Sequence, residues 1–178
     1  MRVITGKYKG RRFDIPRTFK ARPTTDFAKE NIFNVLSGLI DFEGATALDL
    51  FSGTGSITLE LLSRGCQRVV SVEADRDHHA FICQCLKKLG DEVCLPIRGD
   101  VFRFLKSCKQ QFDIIFADPP YTLPNLAEIP SIVLSREPAI LANGGVFILE
   151  HGKAHDFSAT SRFTDHRQYG SVNFSLFM

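Results

Sequence analysis

From Ala45 onward, short apolar runs alternate with stretches of helical spacing, and this alternation constrains the fold more than any other feature of the chain. It predicts strands at Ala45 to Asp49, Val69 to Glu73, Val93 to Arg98 and Phe112 to Asp118, with helices at Ser56 to Arg64, Asp77 to Leu89 and Val101 to Cys108. Repetition of this kind builds βαβ units, an α/β fold whose strands pair in parallel beneath covering helices. Gly65 and Gly90 stand where two of the helices should end. A helical stretch around Ile129 to Leu141 then leads to strands at Gly145 to Glu150, Arg162 to Tyr169 and Val172 to Phe177. Gly170-Ser171 is a short turn, so the last two strands should pair antiparallel.

The first part of the chain differs in composition. Between Met1 and Lys29 stand nine Lys or Arg against Asp14 and Asp26, a balance of +7, whereas the whole chain carries +2 and the remainder therefore −5. The basic residues are interleaved with Val3, Ile4, Tyr8, Phe13 and Ile15, which predicts a two-stranded hairpin turning at Gly6 to Gly10 rather than a tail. Pro16 and Pro23 bracket a linker. Asp26 is placed to cap a helix carrying Ile32, Val35, Leu36 and Leu39. Residues 1–22 are thus read as a basic hairpin and linker, and residues 23–178 as the main domain. A basic arm on an acidic body suits a phosphate-binding segment attached to a domain with a cationic ligand.

At 178 residues and 44% hydrophobic content, a core can form without disulfides or metal. Five cysteines, Cys66, Cys83, Cys85, Cys94 and Cys108, show no C-x-x-C pair, and the five histidines no zinc pattern, so no metal is expected and the thiols are read as core-filling. There is no signal-peptide h-region and the apolar runs are strand-sized, which places the chain away from membranes, in the cytoplasm.

In a doubly wound sheet, ligands sit outside the carboxyl ends of the strands where strand order reverses. Three predicted strands end on Asp49, Glu73 and Asp118, and Asp100 follows the strand that ends at Arg98. One such acid is ordinarily a cap or a solvated turn; four in series point to one ligand edge. Phe51-Ser52-Gly53-Thr54-Gly55-Ser56 lets backbone approach a ligand. Such a loop suits a nucleotide, a dinucleotide or S-adenosylmethionine. Asp49 just ahead of it would repel a pyrophosphate and attract the ammonium of a methionine moiety, and no Gly-Lys-Ser/Thr follows to make a P-loop. Glu73 is placed for ribose hydroxyls, and Asp100 with the Val101 backbone for the adenine edge.

Asp118-Pro119-Pro120-Tyr121 is the most specific signal. Two prolines lock φ and remove two N–H donors, leaving a rigid, acceptor-rich turn. An aromatic amine such as adenine N6 or guanine N2 has its lone pair delocalised into the ring. Acceptors at Asp118 and the Pro119 carbonyl would hold both N–H bonds and aim that lone pair at an electrophilic methyl group. Tyr121 can stack on the base, which must then be unpaired or flipped. Positioning and electrostatics, not a strong base, would carry such catalysis.

These residues resemble the class I methyltransferases of the bacterial 16S ribosomal RNA guanine-N2 type, the RsmD-like family. The resemblance rests on Arg2-Val3-Ile4-Thr5-Gly6, Lys9-Gly10-Arg11-Arg12, Arg22-Pro23-Thr24-Thr25-Asp26, Asn31-Ile32-Phe33-Asn34, Asp49 to Ser56 and Asp118 to Tyr121. It implies a Rossmann-like, seven-stranded, mostly parallel sheet with an antiparallel C-terminal hairpin. It also implies S-adenosylmethionine as cofactor, held by Thr25, Asp49, Phe51, Ser52, Gly53, Thr54, Gly55, Glu73, Ala74, Asp100 and Val101. Catalysis would fall to Asp118, Pro119, Pro120 and Tyr121. Lys7, Lys9, Arg11, Arg12 and Arg22 would contact 16S rRNA within a small-subunit particle, the protein acting as a monomer. Where the family often has arginine after the aspartate matching Asp26, this chain has Phe27-Ala28-Lys29, with Lys29 expected to replace part of that charge. Two other functions remain open on the residues alone: N6-adenine methylation of DNA or RNA, and a noncatalytic rRNA-binding assembly protein on the same scaffold. A dinucleotide oxidoreductase is disfavoured by Asp49.

Overall fold

The structure, a computed structural model, describes residues 1–19 and 24–178. Arg22 and Pro23 of the basic linker lie outside the described residues.

Seven strands form one sheet: β1 (Thr46–Leu50), β2 (Arg68–Glu73), β3 (Cys94–Arg98), β4 (Phe112–Ala117), β5 (Leu141–His151), β6 (Phe163–Tyr169) and β7 (Val172–Phe177). Their order is β3-β2-β1-β4-β5-β7-β6. The first five pair in parallel, and β7 runs antiparallel to both β5 and β6. The expected α/β architecture, with its antiparallel C-terminal pair, is therefore present. Strand order reverses between β1 and β4, so the switch point lies at the ends of these two strands.

The helices are α1 (Asp26–Ser37), α2 (Ser56–Ser63), α3 (Arg76–Leu89), α4 (Val101–Ser107) and α5 (Ile129–Leu134). Alternation along the strands splits the core in two. Ala47, Val69, Ile114, Phe116, Val146 and Ile148 pack with α1, α2 and α3, while Leu48, Leu50, Val70, Ile115, Ala117 and Leu149 pack with α4 and α5. Both faces are covered, which is why the central strands read as apolar runs rather than alternating ones.

Three expectations are corrected. Helix α1 is capped by Thr25, whose side chain accepts from the Ala28 N–H, and Asp26 is its first residue. The helix expected over Ile129 to Leu141 stops at Leu134; Pro138 lacks an N–H and disfavours helix at the residue before it. The N-terminal segment folds back as an antiparallel hairpin, but a shorter one than expected: Met1 to Val3 bond to Arg11 to Phe13 around the Arg2–Arg12 bridge, and no regular strand extends beyond them. The reason is that residues 4–8 turn outward to bond α2. The Ile4 and Thr5 N–H groups donate to the Glu60 carboxylate at 2.8 and 3.1 Å, and the Tyr8 N–H to Ser63 Oγ at 2.9 Å. Every residue of α2 is buried, because the sheet covers one side and this segment the other.

Among the described residues no helix is long and apolar enough to cross a membrane. The five cysteines are free thiols, with Cys66, Cys85 and Cys108 buried.

Candidate active site at the carboxyl edge of the sheet

The sheet order places the strand-end acids in a row. Reading across, Asp100 follows β3, Glu73 ends β2, Asp49 lies near the end of β1, Asp118 follows β4 and Glu150 lies near the end of β5. Glu73, Asp49, Asp118 and Glu150 share strand parity with Val69, Ala47, Phe116 and Ile148, so they project to the α1–α2–α3 side. Glu150 was absent from the sequence-derived site, although the strand predicted for that segment ended on it.

At the first half of the site the chain leaves β1 through Phe51, held at φ 60, and the glycine loop. Glu73 braces this loop: one carboxylate oxygen accepts from the Gly53 N–H and the other from the Asp75 N–H, both at 2.7 Å. Ser52 Oγ donates to the Asp49 carbonyl at 2.8 Å, tying the loop back onto β1. The two glycines serve different needs. A Cβ on Gly53 would meet only the Phe51 carbonyl oxygen, at 3.9 Å, so the loop there borders open space; one on Gly55, at φ +79, would lie 2.9 Å from Ile82 Cγ1 of α3. Gly55 is thus required by its positive φ and by the packing of α3 against the loop. Asp100 caps α4 by accepting from the Arg103 N–H at 2.8 Å, and Val101 is buried behind it. Phe51 meets Phe102 edge-on at 6.1 Å, which walls this end. Ala74 is exposed beyond Glu73.

Asp49 is buried beneath the loop and accepts from the Thr58 hydroxyl of α2. Burial pushes its carboxyl up to about 7, against the hydrogen bonds from Thr58. Its charge near neutral pH therefore depends on what lies beside it.

The second half of the site is built by β4 and β5. The Asp118 N–H donates to the Leu50 carbonyl at 3.3 Å, which sets the Asp-Pro-Pro-Tyr turn against the glycine loop. Pro119 is buried and Pro120 exposed. Tyr121 is 45% exposed but donates its hydroxyl to Glu150 Oε1 at 2.9 Å. Thr24, immediately before the α1 cap, holds its hydroxyl 3.0 Å from Glu150 Oε2 and 3.4 Å from Asp118 Oδ2. Two segments distant in sequence thus converge on the carboxyl group of Glu150, a residue only 4% exposed. Asp118 is partly open at the surface, but its carboxyl lies among others; burial, then Glu150, then Asp49 raise it well above the usual carboxylate range. Burial also raises Glu150, opposed by its hydrogen bonds to Tyr121, Thr24 and Asp118. Burial and the Glu150 charge push the Tyr121 phenol upward, so it remains a donor.

The basic residues divide. Lys7 Nζ pairs with Asp91 at 3.1 Å and Arg11 donates to the Lys88 carbonyl at 3.1 Å, so both hold the arm on α3. Lys9 and Arg12 are exposed. Lys29 is 1% exposed and donates to the Arg2 carbonyl at 2.7 Å and to Ser56 Oγ at 2.9 Å, so it faces the interior rather than an external partner. A cavity of about 270 Å³ between the arm and Thr24 to Asp26 is lined by Arg2 and Arg12. A larger one, about 530 Å³, lies between the end of α1 and Arg64, at the opposite edge of the sheet and away from the acid row. Among the described residues no group of His, Cys, Asp or Glu is arranged to hold a metal ion.

Comparison with known proteins adds four findings. Residues 1–178 match the family described as conserved hypothetical protein 95. The putative rRNA methyltransferase YlbH of Bacillus subtilis is 34% identical over 164 residues, covering 90% of this chain and 87% of the relative. The ribosomal RNA small subunit methyltransferase D of Buchnera aphidicola subsp. Baizongia pistaciae is 31% identical over 134 residues, 75% of this chain and 68% of that protein. Among solved structures, the 16S rRNA N2 methyltransferase RsmC of Thermus thermophilus, in complex with AdoMet and guanosine, shares the fold: TM-score 0.69 and 21% identity, over 89% of this chain and 44% of that one.

Proposed function

Since the chain belongs to the RsmD-like family described as conserved hypothetical protein 95, we propose that it transfers a methyl group from S-adenosylmethionine to the exocyclic N2 of a guanine in small-subunit rRNA. The observation that carries this reading is the contact between β1 and β4, which sets an acceptor-rich Asp-Pro-Pro-Tyr turn against a glycine loop backed by acids. The relatives' names support rRNA as the substrate class, and that of the Buchnera aphidicola relative supports the small subunit.

The residues fit the cofactor. Open space beside Gly53 leaves room for a ligand against the loop, Glu73 retains lone pairs for ribose hydroxyls, and the acid row suits a cationic nucleoside. When bound, S-adenosylmethionine supplies an electrophilic methyl on a positively charged sulfur. The Asp118 carboxyl and Pro119 carbonyl accept the two N–H bonds of the target amine and so orient its lone pair. Guanine offers N1–H beside the N2 amine, a further donor that suits an acceptor-rich pocket. The ring of half-exposed Tyr121 is available to the base face. The exposed Lys9 and Arg12, with Arg22 of the linker, engage phosphates. The enzyme acts as a monomer in the cytoplasm, on rRNA within a small-subunit particle.

A labelled-methyl assay on undermethylated small subunits, with digestion of the product to nucleosides, tests the reading. Methylguanine is the expected product. Methyladenine would overturn the choice of base, and no incorporation with cofactor binding verified would overturn the activity.

Asp49 makes cofactor binding pH-dependent. Its folded value of about 7 lies above the ordinary 3.8, so in the free protein its contribution to stability falls as pH rises between those values. A cationic cofactor favours the ionised form, so affinity should weaken below about pH 7, approaching tenfold per pH unit. Calorimetry in buffers of different ionisation enthalpy should record proton release on binding near neutral pH. Asp49→Asn should abolish that release.

Lys9→Ala combined with Arg12→Ala should weaken RNA binding and reduce the slope of log K against log salt by about 0.7 to 0.9 for each phosphate that is no longer neutralised. Cofactor affinity should be unaffected, because both side chains are exposed on the arm. Filter binding over a salt series decides it, and an unchanged slope would remove these residues from the RNA interface.

A further inference from the structure

We propose that Glu150, rather than Asp118, carries the negative charge of the target pocket and takes up, through Asp118, the proton that the methylated amine must lose. This rests on the reading of the site as an amino methyltransferase and goes beyond it, because the acceptor role of the turn says nothing about where charge resides. The geometry separates the two carboxyls. Glu150 receives the Tyr121 hydroxyl at 2.9 Å on Oε1 and the Thr24 hydroxyl at 3.0 Å on Oε2, whereas the Thr24 hydroxyl is 3.4 Å from Asp118. Donors converging on one carboxyl favour its ionised form. Asp118 lies between Glu150 and Asp49, two acids on the adjoining strands, and repulsion from both disfavours its ionisation. Both carboxyls share the Thr24 hydroxyl, at 3.0 and 3.4 Å, so they lie side by side, where a proton held between them relieves their repulsion, and the donors on Glu150 leave that proton to Asp118. His151, next along β5, points to the opposite face, where it meets Ser175 Oγ at 2.9 Å, so no imidazole on β5 competes for this role.

The step balances with these assignments. The amine nitrogen forms its bond to the methyl carbon as the carbon–sulfur bond breaks, with the electron pair retained by sulfur. Positive charge thereby moves from sulfur to nitrogen, toward the carboxyl pair. The nitrogen loses one proton to the free oxygen of Asp118 while Asp118 passes its own proton to Glu150. The pair goes from one negative charge to none, and the cofactor from one positive charge on sulfur to none. Glu150 acts through Asp118 and is a positioning residue in this sense.

The test compares neutral isosteres at the two positions in single-turnover methyl transfer to undermethylated small subunits, with cofactor binding followed by calorimetry. Asparagine can both accept from the amine and donate to Glu150, so it preserves the orientation and the Glu150 charge felt as the carbon–nitrogen bond forms, the step that single-turnover transfer reads, although it cannot relay the proton lost afterwards. Asp118→Asn should therefore lose no more than about tenfold, and Glu150→Gln about a hundredfold or more. The acid limb of the rate–pH profile should persist in Asp118→Asn and vanish in Glu150→Gln. Should Glu150→Gln fail to fold, Tyr121→Phe serves: it removes one donor to Glu150, and the acid limb should move to higher pH. Equal losses at the two positions, a Glu150→Gln variant near wild type, or an unmoved limb in Tyr121→Phe would overturn the assignment. Failure of the wild-type protein itself to methylate would instead overturn the underlying activity.

Discussion

Asp118→Ala is expected to lower the rate of methyl transfer by about 100- to 1,000-fold, the range seen when one preorganised hydrogen-bonding group is removed from a reacting centre. Alanine takes away both the oxygen that orients the amine and the link to Glu150, whereas the backbone bond from residue 118 to the Leu50 carbonyl needs no side chain and keeps the turn in place. Cofactor affinity should be preserved, because the loop, Glu73 and Asp100 stand on β1, β2 and β3. Stability should not fall either, since Asp118 is held next to Glu150 and Asp49 at a cost that its removal relieves. Single-turnover kinetics with parallel calorimetry distinguish the cases. Loss of cofactor binding equal to the loss of rate would place Asp118 in cofactor retention instead.

A second large effect lies away from the chemistry. Glu60→Ala should cost about 3 to 5 kcal/mol, because removing one member of a buried ion pair strands the other. Glu60 is fully buried, and its carboxylate accepts from Ile4, Thr5 and Arg64 Nε, the last at 2.9 Å. Arg64 is itself only 7% exposed and its Nη2 already lacks a partner, so it would lose its counter-charge without gaining water. Two backbone N–H groups of the arm would lose their acceptors at the same time. The arm should detach and become open to proteolysis near Ile4, while the sheet persists. Urea unfolding with limited digestion measures both. A change below about 1 kcal/mol, the size of an ordinary substitution, would mean that the arm is held chiefly by Val3 and Phe13 in the core.

Much of the fold was legible because strand and helix periodicities are local. The strands from Ala45 to Ala117 lie within a residue or two of their expected places, and the pairing of β6 with β7 followed from Gly170-Ser171. The less successful readings have two causes, a choice between near-equivalent neighbours and contacts with distant residues. A capping assignment turned on whether Thr25 or Asp26 supplies the oxygen, and both residue types cap well. The N-terminal hairpin was shortened by bonds to a helix some 55 residues away. The reading of Lys29 as a replacement surface charge failed because burial of a lysine depends on distant partners, here Ser56 and the Arg2 backbone.

By itself, the sequence determined the kind of fold, the glycine loop, four of the five strand-end acids and the rigid proline turn, all of which depend on residues close together in the chain. Only the tertiary structure decided that β5 lies beside β4, that Glu150 joins the row, and that Thr24, 126 residues before it, shares its carboxylate. Ionisation follows from that neighbourhood, since desolvation and nearby charge act through space and are invisible to spacing along the chain.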